Sequence, residues 1–300
     1  LLWIELFIQG GWISGAPPYQ EYSPDQLQNY LGSSYRPEDR SAALGDTLWP
    51  NTAIYAGLND AQGILPLFVY RYRRFIENAE PAMKGLYPTS AMVREPNEML
   101  DLASISRYIT PLRWQKPQAS HPVVYEGKSI RVSSRDALPR AYLSTHYSVG
   151  KDSEDILQQV LSDPQKARIR PWIEPQSNQT VQKLKKTETH VEPPLILPAK
   201  IEHYANQEVL IEIPENQVGV LVLTDVFYPG WKAEVDGRET PIFPANYAFR
   251  AVVIAEPGEQ VRFYYDPFSL RLGLFFLLGG LIFIALLVYR AKAHSNASPT

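Results

Sequence analysis

Residues 220–253, VLVLTDVFYPGWKAEVDGRETPIFPANYAFRAVV, consist of apolar runs of strand length interrupted at Tyr228-Pro229-Gly230, Asp236-Gly237 and Asn246-Tyr247. β-Branched and aromatic residues between turn formers read as short antiparallel strands. The alternation is clearest over 231–235, where Trp231, Ala233 and Val235 would face a core while Lys232, Glu234 and Asp236 face water. Reading outward from this stretch gives six strand candidates, at 208–214, 218–228, 231–235, 239–243, 248–254 and 259–265. Residues 201–269 are therefore expected to form an antiparallel β-sandwich.

The last candidate strand runs through Asp266-Pro267-Phe268-Ser269 into LGLFFLLGGLIFIALLVY, 18 residues from Leu272 to Tyr289 without a charge. At about 1.5 Å per residue they span roughly 27 Å, close to the thickness of a bilayer core. A buried core helix would carry a polar face, and this run has none. The spacing predicts a transmembrane helix over 270–290, bracketed by Arg271 and Arg290, with 291–300 as a tail. The sandwich must then sit against the bilayer surface. Arg290 and Lys292 favour a cytoplasmic tail, but Arg262 and Arg271 on the other flank bring the count close to a tie.

At the other end, LLWIELFIQGGWISG is apolar but short and interrupted by Glu5; residues 1–15 read as the exit end of an upstream membrane segment. Residues 16–170 read as a mixed α/β region. Its helices are expected at Ser23-Pro24-Asp25-Gln26 with a stop at Gly32, along ILPLFVYRYRRFIENA, after Pro96-Asn97-Glu98, and from Asp152 to Asp163-Pro164. HPVVYEGKSIRV and RAYLSTHY read as strands between them. Residues 171–200, rich in Pro, Gln, Thr and Lys, read as a linker or edge strand. The fold class is thus α+β: a mixed region, an antiparallel sandwich and one C-terminal membrane helix.

A net charge of −3 and no basic stripe beyond Arg71–Arg74 argue against nucleic acid as a partner; those arginines read as a solvated helix face. Cysteine is absent, which suits an extracytoplasmic bacterial domain without disulfides as well as a cytosolic one. The five histidines lack the spacing of a metal site, and neither GxSxG, a P-loop nor a dinucleotide glycine pattern occurs. No catalytic residue, metal or cofactor is implied. Asp46, Asp60, Asp225 and Asp236 read as turn or cap residues. Tyr228, Trp231, Asn246 and Arg250 crowd two neighbouring turns, and aromatic faces with Asn and Arg donors are what a glycan or lipid-phosphate surface uses. The same residues also serve to close the ends of a sandwich, the reading favoured here.

FYPGWKAEVDG, ANYAFRAV and RFYYDP before a membrane helix resemble the C-terminal part of the bacterial YfhO family of multi-pass membrane proteins, relatives of GT-C-type glycosyltransferases. IYAGLNDAQGILPLFVYRYRRF and RDALPRAYL extend the resemblance upstream, whereas SISRYITPLRW departs from it. The resemblance implies a many-helix N-terminal region, an extracytoplasmic domain and a final helix in the cell membrane. It also implies sugar transfer from a polyprenyl-phosphate donor to an envelope polymer acceptor. The catalytic carboxylate of such enzymes lies near the start of the full protein, so no residue here takes that role. A non-catalytic membrane-anchored binding or assembly module remains the second reading.

Overall fold

A computed structural model describes residues 27, 29–30, 33, 35–36, 38–44, 47–48, 57–64, 69–81, 90–91, 93–113, 121–175 and 193–296. The expectations for 1–15, for the helix start at Ser23, for Asp46 and for the heart of the 171–200 segment lie outside these residues. In chain order the described strands begin with β1 (Arg40–Ala43), β2 (Gly63–Ile64), β3 (Ser90–Ala91), β4 (Ile105–Pro111), β5 (Val123–Glu126) and β6 (Ile130–Ser134). They continue with β7 (Ala141–Ser144), β8 (Ser148–Val149), β9 (Trp172–Ile173), β10 (Ile196–Pro198), β11 (Lys200–Ala205) and β12 (Glu208–Glu212). The last are β13 (Gly219–Val226), β14 (Trp231–Val235), β15 (Arg238–Thr240), β16 (Phe243–Ala245), β17 (Phe249–Ile254) and β18 (Gln260–Tyr265). The helices are α1 (Tyr70–Ala79), α2 (Glu98–Leu102), α3 (Ser153–Ser162), α4 (Pro164–Ile169) and α5 (Phe268–Asn296).

The central layer is a seven-stranded sheet ordered β10-β7-β13-β17-β16-β9-β8, and a five-stranded antiparallel sheet, β11-β12-β18-β14-β15, packs on one face of it. Alternation along β13 explains why both layers are needed. Val220 and Val222 enter one core with Phe75, Tyr142, Ile156 and Phe249, on the helix side. Leu221 and Leu223 enter the other, with Val209, Ile211, Ala233, Val261 and Phe263 of the five-stranded sheet. A strand buried on both faces reads as a continuous apolar run, which is what VLVL is. Each such side chain contributes about 1.5–3 kcal/mol on burial. β14 keeps the alternation of a strand with one buried face: Ala233 is in the core and Trp231 and Val235 pack against it.

The sandwich is thus larger than residues 201–269. β7 pairs with both β10 and β13, and β9 pairs with β16, so strands from before and within the 171–200 segment complete the central sheet. The strand expected at 239–243 divides into β15 and β16, which belong to different sheets. A four-stranded sheet, β1-β4-β6-β5, with β1 parallel to β4, and a small β2-β3 ladder complete the upstream region.

Local chemistry accounts for the helix boundaries. The Asn97 side chain accepts from Leu100 N at 3.1 Å and Asp152 from Asp155 N at 2.9 Å, capping α2 and α3. Asp163 ends α3 and caps α4, whose first residue is Pro164. The arginines of α1 are not simply solvated. Arg71 pairs with Glu174 at 2.6 Å, Arg73 with Glu77 at 2.8 Å and Arg74 with Glu154 at 2.6 Å. Finally, the Phe268–Arg290 part of α5 is exposed and, with mean hydropathy 2.6, is long and apolar enough to cross a membrane. That is compatible with membrane anchoring.

Candidate functional site

Asp225 lies at the centre of the site. It is near the end of β13, where the register with β17 shifts between Leu223 and Val226. Such an irregularity re-aims side chains out of strict alternation. The carboxylate meets three guanidinium groups: Arg40 Nη2 at 2.8 Å, Arg140 Nη2 at 3.2 Å and Arg250 Nη2 at 3.0 Å. The Tyr204 hydroxyl also donates to it, at 2.9 Å. Arg40 comes from β1, Arg140 from the residue before β7, Arg250 from β17 and Tyr204 from β11, so the cluster joins all three large sheets. Asp225, Arg40, Arg140 and Arg250 are all buried.

Burial alone would push the Asp225 carboxyl up, but Arg140, Arg250 and Arg40, with the Tyr204 hydroxyl, outweigh it and hold the group down at about 2. It is therefore a fixed anion. Arg40 also donates to Ala103 O at 2.7 Å and Thr224 O at 2.9 Å. Arg140 stacks on the Tyr204 ring at 4.0 Å, and Arg250 stacks on Trp231 at 3.8 Å. Arg250 Nε and Nη1 are buried and have no hydrogen-bond partner.

These residues form one side of a cavity of about 590 Å³. Tyr204, Tyr228, Trp231 and Tyr265 give it aromatic surface, and the strip from Asn59 to Gly63, with Val69 and Tyr72, also lines it. That strip is held along β1 by Ser41 N donating to Asn59 O at 2.8 Å and Ala61 N donating to Ser41 O at 2.9 Å. Asp60 lies in it, and burial pushes its carboxyl up to about 7 against the pull of the Gln62 and Ala61 amides. Burial, with Asp225 nearby, likewise raises Tyr204 to about 12, so its phenol stays protonated.

The aromatic side of the cavity continues into the root of α5. Gly230 has φ +99°, and a Cβ there would come within 2.9 Å of both Pro267 Cβ and Tyr265 Cε2, so only glycine lets this turn close onto the junction. Asp266 N donates to Gly230 O at 2.8 Å, and the Asp266 carboxylate pairs with Lys232 at 2.8 Å and with Arg271 of α5.

The four residues singled out in the two turns therefore separate. Tyr228, Trp231 and Arg250 line the cavity; Tyr228 is exposed, Trp231 half-buried and Arg250 buried. Arg250 does not stand on an open surface, as the glycan or lipid-phosphate alternative required; it faces Asp225 inside the molecule. Asn246 belongs elsewhere: it is fully buried, its Oδ1 accepts from Trp172 N at 2.8 Å and its Nδ2 donates to Ala167 O at 3.3 Å. With φ +43° at Asn246 and +73° at Tyr247, that turn is a left-handed corner on the helix side, where Arg71 donates to Tyr247 O at 3.0 Å.

Asp236, in contrast, is a turn residue, accepting from Gln260 N at 2.9 Å. Sequence reasoning missed Arg40, Arg140 and Tyr204 as partners of Asp225. The available signal was Thr224-Asp225 at the end of a double-buried apolar run, since a buried carboxylate needs partners. Among the described residues no group of three or more His, Cys, Asp or Glu is placed to hold a metal ion. No family model, curated protein or solved structure matches this chain.

Proposed function

We propose that this chain is the membrane-anchored, extracytoplasmic binding portion of a membrane protein of cell-envelope glycosylation. In this reading the β-rich body holds a polyprenyl-phosphate-linked sugar or the growing envelope polymer beside the bilayer, and transfer chemistry takes place in other parts of the parent protein. One observation carries the binding role: the arginine-bearing cavity shares Trp231 and Tyr265 with the junction leading into the apolar helix. A ligand tethered to lipid reaches such a cavity without leaving the membrane surface, and aromatic faces suit sugar rings. The link to glycosylation is supported by the resemblance of FYPGWKAEVDG and RFYYDP to the YfhO family.

The test is glycosylation of the envelope in cells whose only copy of the full-length protein carries Tyr228→Ala. Tyr228 is 46% exposed, so the substitution removes a ring from the cavity rim without emptying a core. The expected result is a loss of envelope sugar with normal protein level in the membrane. Unchanged envelope sugar at that level would remove the proposed role.

A further inference from the structure

The charges in the cavity do not balance. Three guanidinium groups face one ionised carboxylate, Asp225; burial pushes the carboxyl of the other lining acid, Asp60, up to about 7. A purely structural ion cluster would be expected to pair its charges, because uncompensated charge away from water is costly. Two donors of Arg250 lack an acceptor, and the Trp231 ring stacked over that guanidinium offers a π-face and no lone pair. Arg140, which also lines the cavity, engages Asp225 through Nε and Nη2, both on Oδ1, and Nη2 donates to the Tyr204 hydroxyl as well.

From this excess of positive charge and donors we infer that the cavity binds a phosphoryl anion at Arg140 and Arg250, next to the aromatic surface of Tyr204 and Trp231. Guanidinium forks match phosphate oxygens in pairs, which makes arginine the residue for this chemistry. Asp225 has two functions in such a site. It fixes the three arginines in place before the ligand arrives, and it reduces their summed charge so that they fold together. Trp231 covers Arg250, so ligand entry must alter the surroundings of the indole. The phosphoryl group can come from a lipid headgroup or from a soluble phosphoester, the chemistry of recognition being shared. The inference rests on the cavity being the binding site proposed above, and it is independent of any part in glycosylation.

The experiment is titration calorimetry on the full 300-residue chain in phosphatidylcholine nanodiscs, with inorganic phosphate and glucose 1-phosphate as probes and sodium chloride at matched ionic strength as the control. The expected result is saturable binding of a phosphate probe, a change in tryptophan fluorescence that Trp231→Phe removes, and about tenfold weaker binding in Arg250→Lys, which keeps charge but not the fork. If Arg250→Lys fails to fold, the wild-type titration decides alone, supported by a rise in the unfolding midpoint with phosphate above that with chloride. Competition of glucose 1-phosphate by phosphatidic acid added to the nanodiscs assigns the site to a headgroup, and lack of competition assigns it to a soluble ester. No saturable binding of either probe and no competition-sensitive fluorescence change overturns the inference. Binding that survives alongside unchanged envelope sugar in Tyr228→Ala cells would remove only the glycosylation role.

Discussion

At the scale of single residues, Asp225 and Asp60 show how position sets the behaviour of one side-chain type. Asp225 is held at about 2, below the ordinary 3.8, so the native state binds its proton less readily than the unfolded chain. Its contribution of about 2 kcal/mol is therefore present above pH 4 and is lost as pH falls towards 2. Asp225→Asn leaves three buried arginines without their counter-ion and should lower stability by about 3 kcal/mol in urea denaturation at pH 7. An unchanged midpoint would mean that the arginines do not depend on it. Asp60 has the opposite sign. Its native carboxyl is raised to about 7, so stability declines as pH rises from about 4 through 7, and Asp60→Asn should flatten that limb of the profile. The groups sharing its cavity are Arg40, Arg140, Arg250, Asp225 and the phenols of Tyr72, Tyr204, Tyr228 and Tyr265. In the sequence both aspartates read as turn residues. Their difference comes from partners up to 185 positions away, which no local pattern records.

At the scale of elements, what was legible is what local pattern controls. Turn formers at Asp236-Gly237 and the two-residue period of WKAEV determine β14 and β15, and side-chain caps at Asn97 and Asp152 determine the starts of α2 and α3. What was not legible is pairing. β7 is only four residues long and fully buried, so nothing in AYLS indicates that it lies between β10 and β13 rather than in an upstream sheet. The Tyr228-Pro229-Gly230 turn is intermediate: its existence follows from composition, but its docking onto Tyr265 and Pro267 does not. Gly230→Ala combines φ +99° with contacts of 2.9 Å to both residues. It should cost about 1–3 kcal/mol and loosen the junction with α5. A chemical-denaturation midpoint equal to that of wild type would show that the turn yields freely.

At the scale of the whole molecule, the question is which side of the membrane the β-rich body occupies. The cations nearest the helix on the body side are engaged within the fold: Arg271 with Asp266, and Arg262 with Glu208 and Glu234. At the far end of the apolar span, Arg290 and Lys292 stand on a stretch of sequence with no acid. Anionic lipids of the cytoplasmic leaflet attract cations at a membrane flank, and positive flanks stay inside. The proposed function requires the tail in the cytoplasm and the body outside, with the arginine cavity at the outer surface, and this charge pattern supports that orientation. Alkaline phosphatase inserted near residue 190 of the full-length protein should be active, because it needs export, while β-galactosidase at the same site should not. β-Galactosidase fused after Thr300 should be active. The reverse pattern would place the cavity at the cytoplasmic surface, where an envelope polymer does not reach it, and the proposed role would have to be given up even with anion binding intact.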